Sequence, residues 1–238
     1  MEIMNQTSNA EGRRAFTVIE LLVVILIIGI LVGFSFPAFQ GVLERAKKVQ
    51  AKNDLTQIVT AVNAYYTEYG KYPIDSTAAG YVPTDTTYGG TGATHTNANL
   101  FDVLRYNTAS TTTAAGGGNL VTTLNPRGIV FIQPSVVRNT SRPMLGVVPN
   151  GSTGAGNWYD PWGSQYNIGI DGDYNNQLAN PYTDAPGGTP LNIGVITWAF
   201  GKNGILGGGA STNSTPPNAS ESGSNGVFSR SGDVISWQ

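Results

Sequence analysis

The segment Phe16 to Phe36 reads FTVIELLVVILIIGILVGFSF and carries a single charge in twenty-one residues, that of Glu20. As a helix it spans roughly 31 Å at ~1.5 Å per residue, about the hydrocarbon thickness of a bilayer. Arg13 and Arg14 stand just before it. Basic residues on one flank mark the cytoplasmic side, so the N-terminus is expected inside and the rest of the chain exported. A secretory signal peptide fits poorly, because its apolar core is usually ~7–15 residues and ends in a small-residue cleavage site. An ordinary signal anchor explains the length and the arginines but not Glu20. An ionised carboxylate in a lipid-facing helix costs on the order of a few kcal/mol, so it implies a partner.

Arg13-Arg14-Ala15-Phe16-Thr17-Val18-Ile19-Glu20-Leu21-Leu22 resembles the class III prepilin signature of type IV pilins and type II secretion pseudopilins. The resemblance implies that a prepilin peptidase cuts between Ala15 and Phe16 and methylates the new Phe16 amine. Glu20 is then the family glutamate, the fifth residue of the mature chain. Ala15 stands where the family usually has glycine. In a filament, Glu20 of one subunit is expected to pair with the Phe16 amine of a neighbour or with its own. Pairing lowers the desolvation cost of both charges and favours one axial stagger.

The helix is expected to continue. Pro37 follows the apolar run and either softens the stem, as the resemblance implies, or ends the span. From Phe39 the apolar residues Val42, Leu43, Ala46, Val49, Leu55, Ile58, Val59, Val62, Tyr65, Tyr66 and Tyr69 recur at three-and-four spacing. Lys47, Lys48, Lys52 and Asp54 are read as the opposite, solvated face. Gly70 and Pro73 predict the helix stop. The expected organisation is a leader over 1–15, a transmembrane and filament-core helix over 16–37, an amphipathic stem over 38–72 and a globular head over 73–238.

In the head, residues 74–119 are rich in Thr, Gly, Ala and Asn and read as a surface connection, with a short helix at Leu100–Leu104. Short strands are predicted at 128–132, 144–148, 165–170, 193–200 and 234–237. The expected fold class is α+β, a long N-terminal helix packed on a small antiparallel sheet. The stretch from Leu206 to Gly226 reads as a flexible loop. Asp160-Pro161-Trp162-Gly163-Ser164-Gln165-Tyr166 resembles the D-P-W-G-x-x-Y turn of the major pseudopilin of type II secretion. Asp accepts backbone bonds there, Pro fixes φ, and Trp and Tyr anchor the turn.

That family binds calcium in the loop before its C-terminus. The resemblance carries the ligand role to Asp233 and to Asn203, where an amide replaces the family aspartate and removes a charge. Asp171 and Asp173 in Asp171-Gly172-Asp173-Tyr174-Asn175 form a second candidate. The other reading is a turn whose Asp and Asn residues satisfy backbone groups. No other cofactor is expected.

Composition excludes further classes. The 238 residues hold 13 basic and 15 acidic side chains, no cysteine and one histidine. Disulfides, thiolate metal sites and cysteine nucleophiles are thereby excluded. Near-neutral charge argues against nucleic-acid coating. His95 has no nucleophile elbow nearby, so no enzyme is expected. The resemblance implies a type II secretion pseudopilus subunit. It forms a homo-oligomeric filament together with minor pseudopilins and an inner-membrane assembly platform, and acts on secreted substrates. The chain is then single-pass in the inner membrane with its head in the periplasm. The alternative is a type IV pilus subunit for adhesion, motility or DNA uptake.

Overall fold

The computed structural model of the chain describes residues 17–90, 92–207, 227–229 and 231–237, with side chains described for all of these except 34–40. The expected cleavage bond between Ala15 and Phe16 lies outside the described residues, as do the side chain of Pro37 and the loop from residue 208 to 226. Helix α1 runs over Val18–Tyr69, fifty-two residues, and is continuous through Pro37. Gly70 ends it with φ +66°, and the Gly70 N–H still donates to the Tyr66 carbonyl at 2.8 Å.

The chain divides into two units, Met1–Arg45 and Ala46–Gln238. In the first, the large apolar residues from Val18 to Val32 are 46–82% exposed on every side of the helix. The described side chains of this run end at Gly33. Among the described residues, no helix is long and apolar enough to cross a membrane.

In the second unit, Ala51, Leu55, Ile58, Val62 and Tyr65 are buried at 0–2% exposure. The alternate steps of four and three residues keep them on one stripe. This stripe packs on a four-stranded antiparallel sheet ordered β1 (Thr86–Tyr88), β4 (Asn167–Ile170), β5 (Val195–Ala199) and β6 (Val234–Ile235). Thr86 pairs with Ile170, Asn167 with Trp198 and Trp198 with Ile235. The strands alternate as their period of two requires. Ile168, Ile170, Val195, Ala199 and Val234 join the core beneath α1. Ile196, Trp198 and Ile235 join a second cluster on the other face, with Leu178, Tyr182 and Leu191 from the β4–β5 connection. A two-stranded ribbon of β2 (Gly146–Val147) and β3 (Trp158–Tyr159) stands beside them. Helices α2 (Asn97–Leu104) and α3 (Leu120–Leu124) complete the core.

The fold is α+β, as expected, but several local expectations fail. Residues 128–132 form no strand, because Asn125 satisfies that backbone instead. Its Oδ1 accepts the Ile129 N–H at 3.0 Å and its Nδ2 donates to the Ile129 carbonyl at 2.7 Å. Residues 74–119 are more than a surface connection, since they supply β1 and α2, whose Tyr88, Leu100 and Phe101 are buried. Val49 is 70% exposed despite its spacing. Asp54 and Lys52 do not belong to a solvated face. Asp54 is 5% exposed, and the Lys52 ammonium donates to the Ile235 carbonyl at 2.8 Å.

Candidate functional site

In the first unit, the backbone N–H and the hydroxyl of Thr17 both donate to Glu20 Oε2 at 2.8 Å. The Glu20 N–H donates back to Thr17 Oγ1 at 3.3 Å. The pair forms a capping box that satisfies two of the donors left over at the start of α1. Sequence reasoning gave Glu20 to an amine and overlooked Thr17. The signal was present, since Thr-x-x-Glu ahead of an apolar run is the box itself.

The Asp160–Tyr166 turn is built around one oxygen. Asp160 Oδ1 accepts N–H bonds from Trp162, Gly163 and Ser164 at 2.8–2.9 Å. Its Oδ2 is buried with no hydrogen-bond partner. Burial outweighs these donors and the nearby Lys47 and pushes the carboxyl up to about 6. Tyr166 is fully buried, and its hydroxyl donates to Asp54 Oδ2 at 2.7 Å. Gln50 Nε2 donates to Asp54 Oδ1 at 2.8 Å. The turn is thus tied to α1 through a carboxylate that lies 112 residues from its partner. Burial raises Asp54 above the usual carboxylate range, against both hydrogen bonds.

Asp233 begins the segment into β6. Its Oδ2 accepts from the Tyr182 hydroxyl and from the Gly207 N–H, both at 2.8 Å, while its Oδ1 is buried without a hydrogen-bond partner. Burial pushes this carboxyl also up to about 6. Asn203 lies in the 3-10 turn Gly201–Asn203, where Oδ1 accepts the Ile205 N–H at 3.4 Å. Gly201, with φ +64°, packs against the Gly232 carbonyl, so a side chain there would collide with it. The two C-terminal segments therefore meet. An oxygen-seeking cation fits the orphaned Oδ1 in kind, with the Asn203 amide oxygen on the facing segment.

Asp171 and Asp173 converge with Asp85, which the sequence did not suggest; their carboxylate oxygens lie within 4.8 Å of one another. Asp171 accepts the Asn175 and Asn176 N–H groups at 3.2 and 2.7 Å, and Asp173 accepts the Asn175 N–H at 3.1 Å. This is the turn role that the alternative reading gave them. Burial raises Asp85 and Asp171, and repulsion from Asp173 and Asp171 adds to the rise at Asp85. His95 lies with its ring against Tyr88 at 5.6 Å, and its backbone N–H donates to Thr87.

Residues 12–36 match the family described as the prokaryotic N-terminal methylation motif. Fimbrial protein EcpC of Eikenella corrodens is 40% identical over 72 residues, 30% of this chain and 47% of that protein. Type IV major pilin protein PilA of Myxococcus xanthus is 36% identical over 70 residues, 29% of this chain and 32% of the relative. The chain thus spans less than half the length of these relatives. Fimbrial protein Q of Moraxella bovis is 34% identical over 151 residues, 61% of this chain and 91% of that protein. No solved structure matches the chain.

Proposed function

The chain belongs to the type IV pilin-like family of fimbrial proteins, structural subunits rather than enzymes, and from that premise we propose that it is a subunit of a type II secretion pseudopilus. Prepilin peptidase cuts between Ala15 and Phe16 and methylates the Phe16 amine. The segment 16–37 holds the subunit in the inner membrane, with the head in the periplasm, until an assembly platform extracts it into the filament with minor pseudopilins. The observation that carries the filament reading is the run of α1 from Val18 to Val32, whose large apolar side chains are exposed on all sides, with Glu20 the one charge among them. Such a surface is stable in lipid or against other apolar helices, and assembly trades one for the other.

The choice of a pseudopilus is supported by the Asp160–Tyr166 turn, locked to α1 through Asp54, and by a C-terminal loop closed on Asp233 in a chain without cysteine. A type IV pilus subunit is the second reading, favoured by the extent of the match to fimbrial protein Q. Deleting the protein and assaying secretion, surface filaments and DNA uptake in parallel decides between them. Loss of secretion alone fits the first, and loss of adhesion or uptake alone overturns it.

Calcium is part of the same proposal. Asp233 Oδ1 and Asn203 would hold the ion, which would neutralise a carboxylate that burial disfavours. Calcium then raises the melting temperature of the head, and Asp233→Ala abolishes the rise. A melt insensitive to EGTA removes the ion.

A further inference from the structure

Where α1 ends, three tyrosine rings cluster at the edge of the core. Tyr72 lies on Tyr174 at 5.6 Å and 15°, and Tyr66 lies 4.7 Å from Tyr72 and 6.4 Å from Tyr174. Tyr66 is 40% exposed and Tyr174 49%. Tyr174 holds φ +62°, a conformation that a bulky side chain adopts at a cost, and strain of this kind collects at functional surfaces. The Tyr72 N–H donates to the Tyr174 hydroxyl at 3.1 Å, which fixes the exposed ring. The same loop carries Asp171 and Asp173, which converge with Asp85. Among the described residues, no ion pair reaches these three carboxylates. Lys71, beside Tyr72 in sequence, is exposed. An aromatic platform beside uncompensated carboxylates suits a guanidinium or an ammonium, which the ring faces and the carboxylates both attract.

The opposite end of the head presents that chemistry. Arg138 and Arg142 are exposed on the loop before β2, with Val136, Met144 and Leu145 at 41–56% exposure beside them. This loop is anchored at the stem side of the head. The Leu145 N–H donates to the Asp160 carbonyl at 2.9 Å, and the Asp160–Tyr166 turn is tied to α1 at Asp54. From Asp54 to Tyr66 is twelve residues of helix, roughly 18 Å at ~1.5 Å per residue. The basic, apolar loop and the acidic, aromatic platform therefore stand at two ends of one head. Different patches that complement each other make a heterologous contact, and such a contact builds an open filament when its rotation does not close.

We propose that the Tyr66–Tyr72–Tyr174 platform with its three carboxylates receives the Arg138–Arg142 loop of a second copy of this chain. The contact rests on the filament reading above and names the surface through which heads engage. It adds a head-to-tail register to whatever the stems supply, and it selects copies of this chain by charge.

The absence of cysteine from the sequence makes the test clean. Lys71→Cys borders the platform, and Thr140→Cys sits between the two arginines; both positions are exposed. Full-length chain carrying both is assembled in cells and oxidised. A ladder of covalent multimers is expected, with dimers only when the two single variants are mixed. Filaments that form without cross-linking overturn the contact and leave the filament reading intact. Absence of filaments from the wild type under every assembly condition overturns both. In parallel, the double reversals Asp85→Lys/Asp173→Lys and Arg138→Asp/Arg142→Asp should each lower filament yield about tenfold, and their combination should restore it. Failure of restoration, with heads that melt as wild type, overturns the pairing. Loss of secretion in the platform reversal with filament yield unchanged in both reversals assigns the platform to a basic secreted protein instead and likewise overturns the pairing.

Discussion

Replacing Asp160 by alanine and by asparagine separates two tasks of one side chain. Oδ1 holds three backbone N–H groups of the turn, and Oδ2 is buried without a hydrogen-bond partner. Alanine removes the acceptor from all three donors. At about 1 kcal/mol for each, and more where a donor stays buried, the loss is about 3–5 kcal/mol. Asparagine keeps an oxygen at the Oδ1 position and removes the charge. The carboxyl is pushed up to about 6 by burial, against an ordinary value of about 3.9, so holding it ionised at neutral pH costs about 3 kcal/mol. Asparagine escapes that cost but buries an amide donor in place of Oδ2, worth about 1–3 kcal/mol. The two nearly offset, and Asp160→Asn is expected within about 1–2 kcal/mol of wild type at pH 7.

The pH dependence has a definite sign. Between about pH 4 and pH 6 the folded chain holds a proton on Asp160 that the unfolded chain has released, so stability falls as pH rises through this window and is level above it. Asp233, also raised to about 6, acts in the same direction. Asp75 and Asp184, both lowered, lose their contribution only at more acid pH. Wild type should therefore be more stable at pH 5 than at pH 7, and Asp160→Asn should lose part of that difference. All four tryptophans lie in the head, so urea unfolding of the full chain in detergent can be followed by their fluorescence. Asp160→Asn as damaging as Asp160→Ala would refute the division of labour. A wild type less stable at pH 5 than at pH 7 would refute the direction assigned to the buried carboxyls.

Glu20→Ala should leave membrane insertion intact and impair assembly, read as subunit in the membrane fraction against sheared filament; normal filament yield contradicts the role of the charge. Thr17→Val removes the hydroxyl of the capping box and should weaken the first turn of α1 by about 1 kcal/mol, seen as faster amide exchange at Ile19 to Leu21 in micelles. Asn125→Ala breaks bonds to Val103, Ile129 and the Tyr69 hydroxyl. It should cost about 3 kcal/mol in urea unfolding, because both ends of a buried amide are in use.

The periodic parts of the fold were legible and the paired parts were not. The end of α1 at Tyr69 followed from Gly70 and Pro73. Four of the six strands among the described residues fell within segments of short apolar runs bounded by turn residues. β1 was missed because Thr86-Thr87-Tyr88 has no apolar alternation; its place comes from pairing with β4, eighty residues later. Residues 128–132 have strand composition, but a single buried amide at Asn125 outcompeted any ladder. Asp54 was misplaced although its position was available. It falls three residues after Ala51 and four before Ile58, on the covered stripe, and only its partner Tyr166 was hidden. The candidate ligands were legible as residue types, whereas the meeting of Asp85 with Asp171 and Asp173 required the fold.

The two units divide α1 by what can cover it. From Ala51 to Tyr65 the apolar positions occupy one stripe, and one sheet of the same chain buries that stripe to 0–2% exposure. A head can cover only such a stripe, since a single layer meets a helix on one side. From Val18 to Val32 the apolar residues surround the axis, and none is less than 46% exposed. Covering them takes neighbours on all sides, which lipid supplies before assembly and other stems supply after it. Glu20 is the exception within that surface, and Thr17 already satisfies its carboxylate inside the chain. Both of its 2.8 Å hydrogen bonds go to Oε2, so an amine from a neighbour can approach Oε1 with the cap in place, and the pairing gains most where burial makes full neutralisation of the charge worth most. That condition holds inside a packed bundle of stems and not at the water boundary, which would make the glutamate selective for the assembled state.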